Sequence, residues 1–215
     1  MRVVIAGGHG QIALLLERRL AAAGHAAIGL IRNPDHEADV VATGGEAALL
    51  DLESSSVAHV ATRLAGADAV VFAAGAGPGS TAERKLTVDR DGATTLAGAA
   101  AIAGVRRYVM VSAMGADDFD PDSSEIFQIY LRAKSDADAA LRATDLDWTI
   151  VRPGGLTNDL ATGSVQVAQS TGRGTIPRDD VAAVLLACLE SPSSVGKQFE
   201  VISGDTRIRA AISAL

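Results

Sequence analysis

Residues 3–13 read VVIAGGHGQIA, and this stretch decides the fold. Val3 to Ala6 is a short apolar run, Gly7, Gly8 and Gly10 follow at once, and Gln11 opens a segment in which Ile12, Leu15, Leu16 and Leu20 recur at helical spacing. A strand that turns sharply into a helix needs glycine for two reasons: the chain must bend, and its backbone must come close to a pyrophosphate. Ala13, the last small position, lets the helix pack near the strand. Backbone N–H groups at the helix start then face the anion, aided by the helix dipole. Strand, glycine turn and amphipathic helix together supply the context that a dinucleotide-binding turn requires. Gly7, Gly8, His9, Gly10, Gln11 and Ile12 are therefore expected around the pyrophosphate of a bound dinucleotide, with His9 and Gln11 acting through backbone rather than side chain.

Outward from this turn, β-like and helical runs alternate along the whole chain. Strands are expected at 2–6, 26–31, 48–52, 69–74, 107–112, 148–152 and 198–203, and helices at 11–23, 57–64, 83–103, 124–143 and 179–190. Residues 69–74 (AVVFAA) are apolar on both faces, as a buried parallel strand requires. The pattern predicts an α/β Rossmann-type fold: a doubly wound, mainly parallel sheet of about seven strands with helices on both faces. Residues 1–215 are read as a single domain, with a small substrate-side region from about 153 to 215. The loop 75–81 (GAGPGST) falls at the carboxyl end of the fourth strand, where ligands bind in such sheets.

The end of the second strand bears on which dinucleotide is bound. An NAD site usually carries a carboxylate about 20 residues past the glycines, to hold the ribose hydroxyls. This chain has Arg32 at that place, and Asp35 lies beyond Pro34. A guanidinium pairs with a 2′-phosphate that a carboxylate would repel. NADP(H) is the expected cofactor and NAD(H) the alternative.

Composition narrows the partners. Hydrophobic residues make up 48% of the chain and aromatic residues only 3%, so the core must be built from Ala, Val, Leu and Ile. The net charge of −7 argues against nucleic acid as a partner. No run approaches the ~20 apolar residues of a membrane span, and no signal peptide is read, which gives a cytoplasmic expectation. Cys188 lies in an apolar helical run and reads as a core residue. His25, His36 and His59 are scattered, so no metal site is expected.

Six segments occur in order: GGHGQIA, Asp51-Leu52, the FAAGAG run from Phe72, VSAMG from Val111, YLRAK from Tyr130 and VRPGGLT from Val151. Together they resemble an atypical short-chain dehydrogenase/reductase of the NAD(P)-binding, NmrA-like and biliverdin-reductase-B-like group. The resemblance implies that Arg32 holds the 2′-phosphate, and that Asp51 and Leu52 flank the adenine. It places Ala73, Ala74 and Gly75 along the ribose, and Pro153, Gly154, Gly155 and Leu156 beside the nicotinamide. It matches Ser112, Tyr130 and Lys134 to the catalytic Ser, Tyr and Lys, with Lys134 also binding cofactor.

The Tyr130–Lys134 spacing has its own logic. Residues four apart share a helix face. An ammonium beside a phenol is expected to lower its pKa and let it pass a proton to a carbonyl, while Ser112 polarises the substrate oxygen. The expected activity is an NADP(H)-dependent reductase acting on a small carbonyl, quinone or flavin-like acceptor. A non-catalytic NADP(H) sensor of the NmrA type is one alternative, and a nucleotide-sugar epimerase or dehydratase is another, weakened by the short C-terminal region. A monomer or homodimer is expected. Asp117, Asp118, Asp120 and Asp122 read as a solvated acidic loop, and Arg178 as a substrate contact or a partner of Asp145 or Asp147.

Overall fold

The structure, a computed structural model, describes residues 1–77 and 79–215; Pro78, in the glycine-rich loop singled out above, lies outside the described residues. In chain order the elements begin with β1 (Arg2–Ala6), α1 (Gln11–Ala22), β2 (Ala26–Ile31), α2 (Glu37–Val41), β3 (Glu46–Leu49), α3 (Val57–Arg63) and β4 (Ala69–Phe72). Then come α4 (Ala82–Arg84), a π-helical segment (Lys85–Gly92), α5 (Ala93–Ala103), β5 (Arg107–Val111), α6 (Ile126–Arg142) and β6 (Asp147–Pro153). The chain closes with β7 (Gly155–Thr157), β8 (Ser164–Ala168), β9 (Thr175–Pro177), α7 (Arg178–Glu190), β10 (Lys197–Ser203), β11 (Thr206–Arg207) and α8 (Ile208–Ser213).

Among the described residues the main sheet has nine strands, in the order β11-β8-β10-β6-β5-β4-β1-β2-β3, and β7 pairs with β9 in a separate two-stranded sheet. From β10 to β3 every pairing is parallel, whereas β8 pairs antiparallel with β10 and β11. The Rossmann architecture expected from the sequence is thus the observed one. Alternation along β1 shows why. Val3 and Ile5 enter the core formed with α1 and α7, while Val4 and Ala6 enter the core formed with α3, α5 and α6. The central strands β1, β4, β5 and β6 are buried on both faces because helices cover both, and period-2 geometry divides their apolar residues between them.

Two differences from expectation have physical causes. The additional strands are short: β7 and β9 have three residues each and β11 two, too few to show a period, and β8 (SVQVA) carries polar positions at an edge. The second difference is functional. Residues 83–103 read as one helix, but the chain is π-helical over Lys85–Gly92. The wider turn alters which side chains face inward, and Asp89 is 1% exposed there.

Candidate functional site

β1 and β4 run side by side and end together, with Ala6 opposite Phe72. The glycine turn therefore meets the loop that follows β4. Gly7 has φ +78°, and a Cβ on it would lie 2.6 Å from the Ala74 Cα, so neither conformation nor space admits a side chain. Gly10 caps α1 without a side-chain hydrogen bond, and no acidic residue occupies the first turn. The unpaired N–H groups of that turn remain available to an anion. This cradle fits the diphosphate of a dinucleotide.

A cleft of about 330 Å³ opens along these carboxyl ends. Of the residues expected at the cofactor, Gly7, His9 and Gly10 line it from the turn, Arg32 from the end of β2, and Asp51 and Leu52 from beyond β3. Ala73, Ala74 and Gly75 line it from beyond β4. Gly8, Gln11, Ile12 and the 153–156 segment are not in its wall. Gly8 is buried: its N–H donates to the Leu30 carbonyl at 2.9 Å, and a Cβ would strike the Gly29 Cα at 2.5 Å. Close packing of the turn on β2 is thus sufficient reason for that glycine. Gly154 is likewise enclosed, with a Cβ falling 2.5 Å from the Gly174 carbonyl oxygen, while Leu156 in β7 is well exposed.

His9 does more than supply backbone. Its Nε2 lies 2.7 Å from Asp39 Oδ2, and its ring stacks on His36 with centroids 3.6 Å apart. The cleft also contains residues that the sequence reading missed. Glu53 lies beyond β3, and Arg84 and Val88 come from the helix after β4. Glu53 Oε2 accepts from Arg84 Nη2 at 2.7 Å and from Arg32 Nη1 at 3.3 Å, and its Oε1 accepts from Thr87 Oγ1 at 2.7 Å. Partial burial pushes the Glu53 carboxyl up, but Thr87 and the two arginines outweigh it and hold it below the usual carboxylate range. The ERKLTVD run at 83–89 carries these groups, yet no period in it reveals that Arg84 at the end of α4 and Thr87 in the π-helical segment both turn toward Glu53.

The residues expected to be catalytic, Ser112, Tyr130 and Lys134, lie past Ala76 and are not in the wall of this cleft. Asp89 Oδ2 accepts from the Ala76 N–H at 3.0 Å, and its Oδ1 is 3.2 Å from Lys134 Nζ. Lys134 also donates to the Val111 carbonyl at 3.2 Å, which ties α6 to the end of β5. Tyr130, one turn earlier on α6, presents its ring 5.9 Å from Lys134 Nζ and 5.2 Å from Lys85 Nζ. Its hydroxyl has no hydrogen-bond partner among the described residues. The sealed, unpartnered side-chain atoms among those residues are Glu17 Oε1, Asp138 Oδ1 and Thr157 Oγ1, so the phenol oxygen is not fully sealed.

The expected lowering of the tyrosine pKa is reversed. Burial raises it, Lys134 only partly opposes this, and Asp89 and Asp138 add to the rise. Lys134 pays its own burial cost through Tyr130 and Asp89, which hold its pKa above the ordinary lysine value.

Ser112, at the end of β5, is 3% exposed and donates to Asp138 Oδ2 at 2.8 Å. Arg152 binds the same oxygen through Nε at 2.8 Å and reaches Asp117 through Nη1 at 2.7 Å. Asp117 stays in the exposed acidic loop, as expected, but it is also paired: Arg152 holds it at the end of β6. Arg178 donates to Asn158 Oδ1 at 2.7 Å rather than to Asp145 or Asp147, and Asp147 pairs with Arg106 at 3.0 Å. Among the described residues no group of His, Cys, Asp or Glu is arranged to hold a metal, and no helix is long and apolar enough to cross a membrane.

Glycine cradle, adenosine-side cleft and the Tyr-x-x-x-Lys face define a nicotinamide-dinucleotide-binding Rossmann protein of the atypical short-chain dehydrogenase/reductase type. A family model described as NAD(P)H-binding matches residues 7–192, and the chain belongs to that family. It is 38% identical over 220 residues to the uncharacterized sugar epimerase YhfK of Bacillus subtilis, with 100% of both chains covered. A solved structure from Bacillus halodurans, provisionally named as an NAD-dependent epimerase/dehydratase, superposes with a TM-score of 0.92 at 35% identity over 100% of both chains. The oxidoreductase ylbE of Lactococcus lactis superposes with a TM-score of 0.86 at 26% identity, over 100% of this chain and 96% of that one.

Proposed function

We propose that the protein is an NADP(H)-dependent reductase of a small carbonyl, quinone or flavin-like acceptor. The observation that carries this reading is the Tyr130 hydroxyl, unpartnered and not fully sealed, one helical turn from a lysine that is itself locked to Asp89 and the Val111 carbonyl. A bound nicotinamide supplies hydride, and the chain's own residues handle the proton. Tyr130, kept protonated by burial, donates it to the reduced acceptor oxygen. Lys134 keeps its charge through Asp89, favours the phenolate left behind, and contacts the nicotinamide ribose. Ser112 holds Asp138 and Arg152 beneath the end of β5 and β6. The N-terminal turn of α1 holds the diphosphate, and Arg32 favours the 2′-phosphate.

A second reading is favoured by two relatives whose names carry epimerase. An epimerase or dehydratase uses the same hydride exchange but returns the hydride, so the cofactor is not consumed. Titration of the purified protein with NADPH and NADH, followed by absorbance at 340 nm against quinones, flavins and aldehydes, separates the readings. Stoichiometric loss of NADPH with an acceptor supports the reductase. Binding without consumption on any acceptor refutes it in favour of cofactor recycling or sensing, and absence of binding refutes the family of readings.

A further inference from the structure

At the adenosine end of the cleft, Glu53 joins three segments that are far apart in the chain. Arg32 comes from the end of β2, Glu53 from beyond β3, and Arg84 from the helix after β4. One carboxylate oxygen, Glu53 Oε2, receives N–H groups from both guanidiniums, at 2.7 and 3.3 Å. The other is pinned by the Thr87 hydroxyl at 2.7 Å. A guanidinium has five N–H donors. Among the described residues Glu53 is the only hydrogen-bond partner of either arginine side chain, which leaves most of their donors free. Both side chains are exposed to the cleft, Arg32 at 56% and Arg84 at 36%.

We infer that Arg84 is the second cation of a 2′-phosphate subsite, and that Glu53 is a resident anion that holds Arg32 and Arg84 together and competes with the phosphate for them. This rests on the reading of the cleft as a nicotinamide dinucleotide site and specifies how that site chooses between the phosphorylated and unphosphorylated forms.

The charge balance gives the direction. Two arginines and one carboxylate leave a net charge of +1. A phosphate monoester brings about −1.5 to −2 at neutral pH. The phosphate is therefore attracted, but less than by two unopposed arginines, and it must share their donors with Glu53. An unphosphorylated ribose meets a cluster that is already largely satisfied, so it loses little. Glu53 thus narrows the gap between the two cofactors, whereas Arg32 and Arg84 widen it. A carboxylate that only braced the loop would widen it too, because its loss would scatter both arginines.

The experiment is a set of fluorescence titrations of the full chain with NADPH and with NADH, for the wild type, Arg84→Gln and Glu53→Gln, each with a thermal melt. The readout is the ratio of the two affinities, which general damage to the cleft does not move. Arg84→Gln is expected to lower the NADPH-to-NADH ratio about tenfold, the scale of one lost charge-assisted hydrogen bond. Glu53→Gln is expected to raise it severalfold, by removing the competing charge while keeping the side chain's shape. Opposite movements in the two variants support the inference. An unchanged ratio in Arg84→Gln overturns the second-cation assignment, and a lowered ratio in Glu53→Gln overturns the competing role. A wild type that binds neither cofactor overturns the underlying reading of the cleft, and this inference with it.

Discussion

Lys134 Nζ lies 3.2 Å from Asp89 Oδ1, and the two side chains are 5% and 1% exposed, so each is the other's counter-ion in a nearly buried position. Burying either charge alone is costly, and breaking such a pair typically costs about 3–5 kcal/mol. Asp89→Ala should therefore destabilise the protein by that order in a denaturant titration. Asp89→Asn should lose less, because its amide oxygen still accepts from Lys134 or from the Ala76 N–H. A loss below about 1 kcal/mol in the alanine variant would mean that Lys134 is held by the Val111 carbonyl alone.

The unpartnered Tyr130 hydroxyl leads to a second prediction, in two parts. Tyr130→Phe should leave cofactor affinity within error and reduce turnover by about 10²–10⁴-fold, the range for loss of a general acid. Burial holds the phenol above its ordinary pKa of 10.0, so it remains a proton donor throughout the neutral range. The rate of acceptor reduction should accordingly show no tyrosine titration between pH 6 and 9. An inflection in that window that disappears in Tyr130→Phe would show a lowered pKa, as the helix spacing alone suggested.

Glu17 on α1 makes stability depend on pH in an unusual direction. It is fully buried and accepts from Thr43 Oγ1 at 3.0 Å through Oε2, while Oε1 has no partner. Desolvation raises its pKa from 4.5 to about 7, with Thr43 and Arg18 opposing the rise. The folded state thus holds its proton more tightly than the unfolded chain. The stability this group contributes is full below pH 4.5, declines as pH rises to about 7, and is flat above, a total loss of about 3 kcal/mol. Glu17→Gln should remove that segment of the pH–stability curve. Parallel curves for the two proteins between pH 5 and 7 would show that Glu17 is ionised in the fold.

These cases mark where sequence stopped being informative. The glycine turn was readable because strand, turn and helix each leave a local period, and the apolar alternation of Val3 to Ala6 already implied a sheet covered on both faces. The positions of Arg32 at the end of β2 and of Lys134 one turn past Tyr130 were readable because each sits at a fixed offset within such a pattern. The placement of Thr87 and Asp89 was not, because they lie in a π-helical turn, and an extra residue in one helical turn has no signature in the chain; Arg84, in α4 just before it, shows its place only through its bond to Glu53. Glu53 was missed for a different reason: it acts only by joining arginines 21 residues before and 31 residues after it. The Tyr130 pKa was misjudged because spacing locates Lys134 but says nothing of the burial that outweighs it, nor of Asp89 and Asp138, which add to the rise.

Ser112 gives the final test, because spacing and geometry assign its hydroxyl different work. The resemblance gives it a substrate oxygen, whereas in the structure its proton goes to Asp138 Oδ2, which also accepts from Arg152 Nε at 2.8 Å and lies 2.7 Å from Arg152 Nη2. The other oxygen of Asp138 is buried and unpartnered, so the carboxylate has no spare donor to turn to. Burial already pushes the Asp138 carboxyl up, and Arg152 and Ser112 restrain it. Ser112→Ala should therefore cost about 1–3 kcal/mol of stability, the scale of a lost hydrogen bond to a buried charge. It should lower turnover only modestly, because Lys134 is anchored through Asp89 and Val111 instead. A variant of unchanged stability that loses turnover a hundredfold would reverse this, and would put the serine hydroxyl on the reacting oxygen.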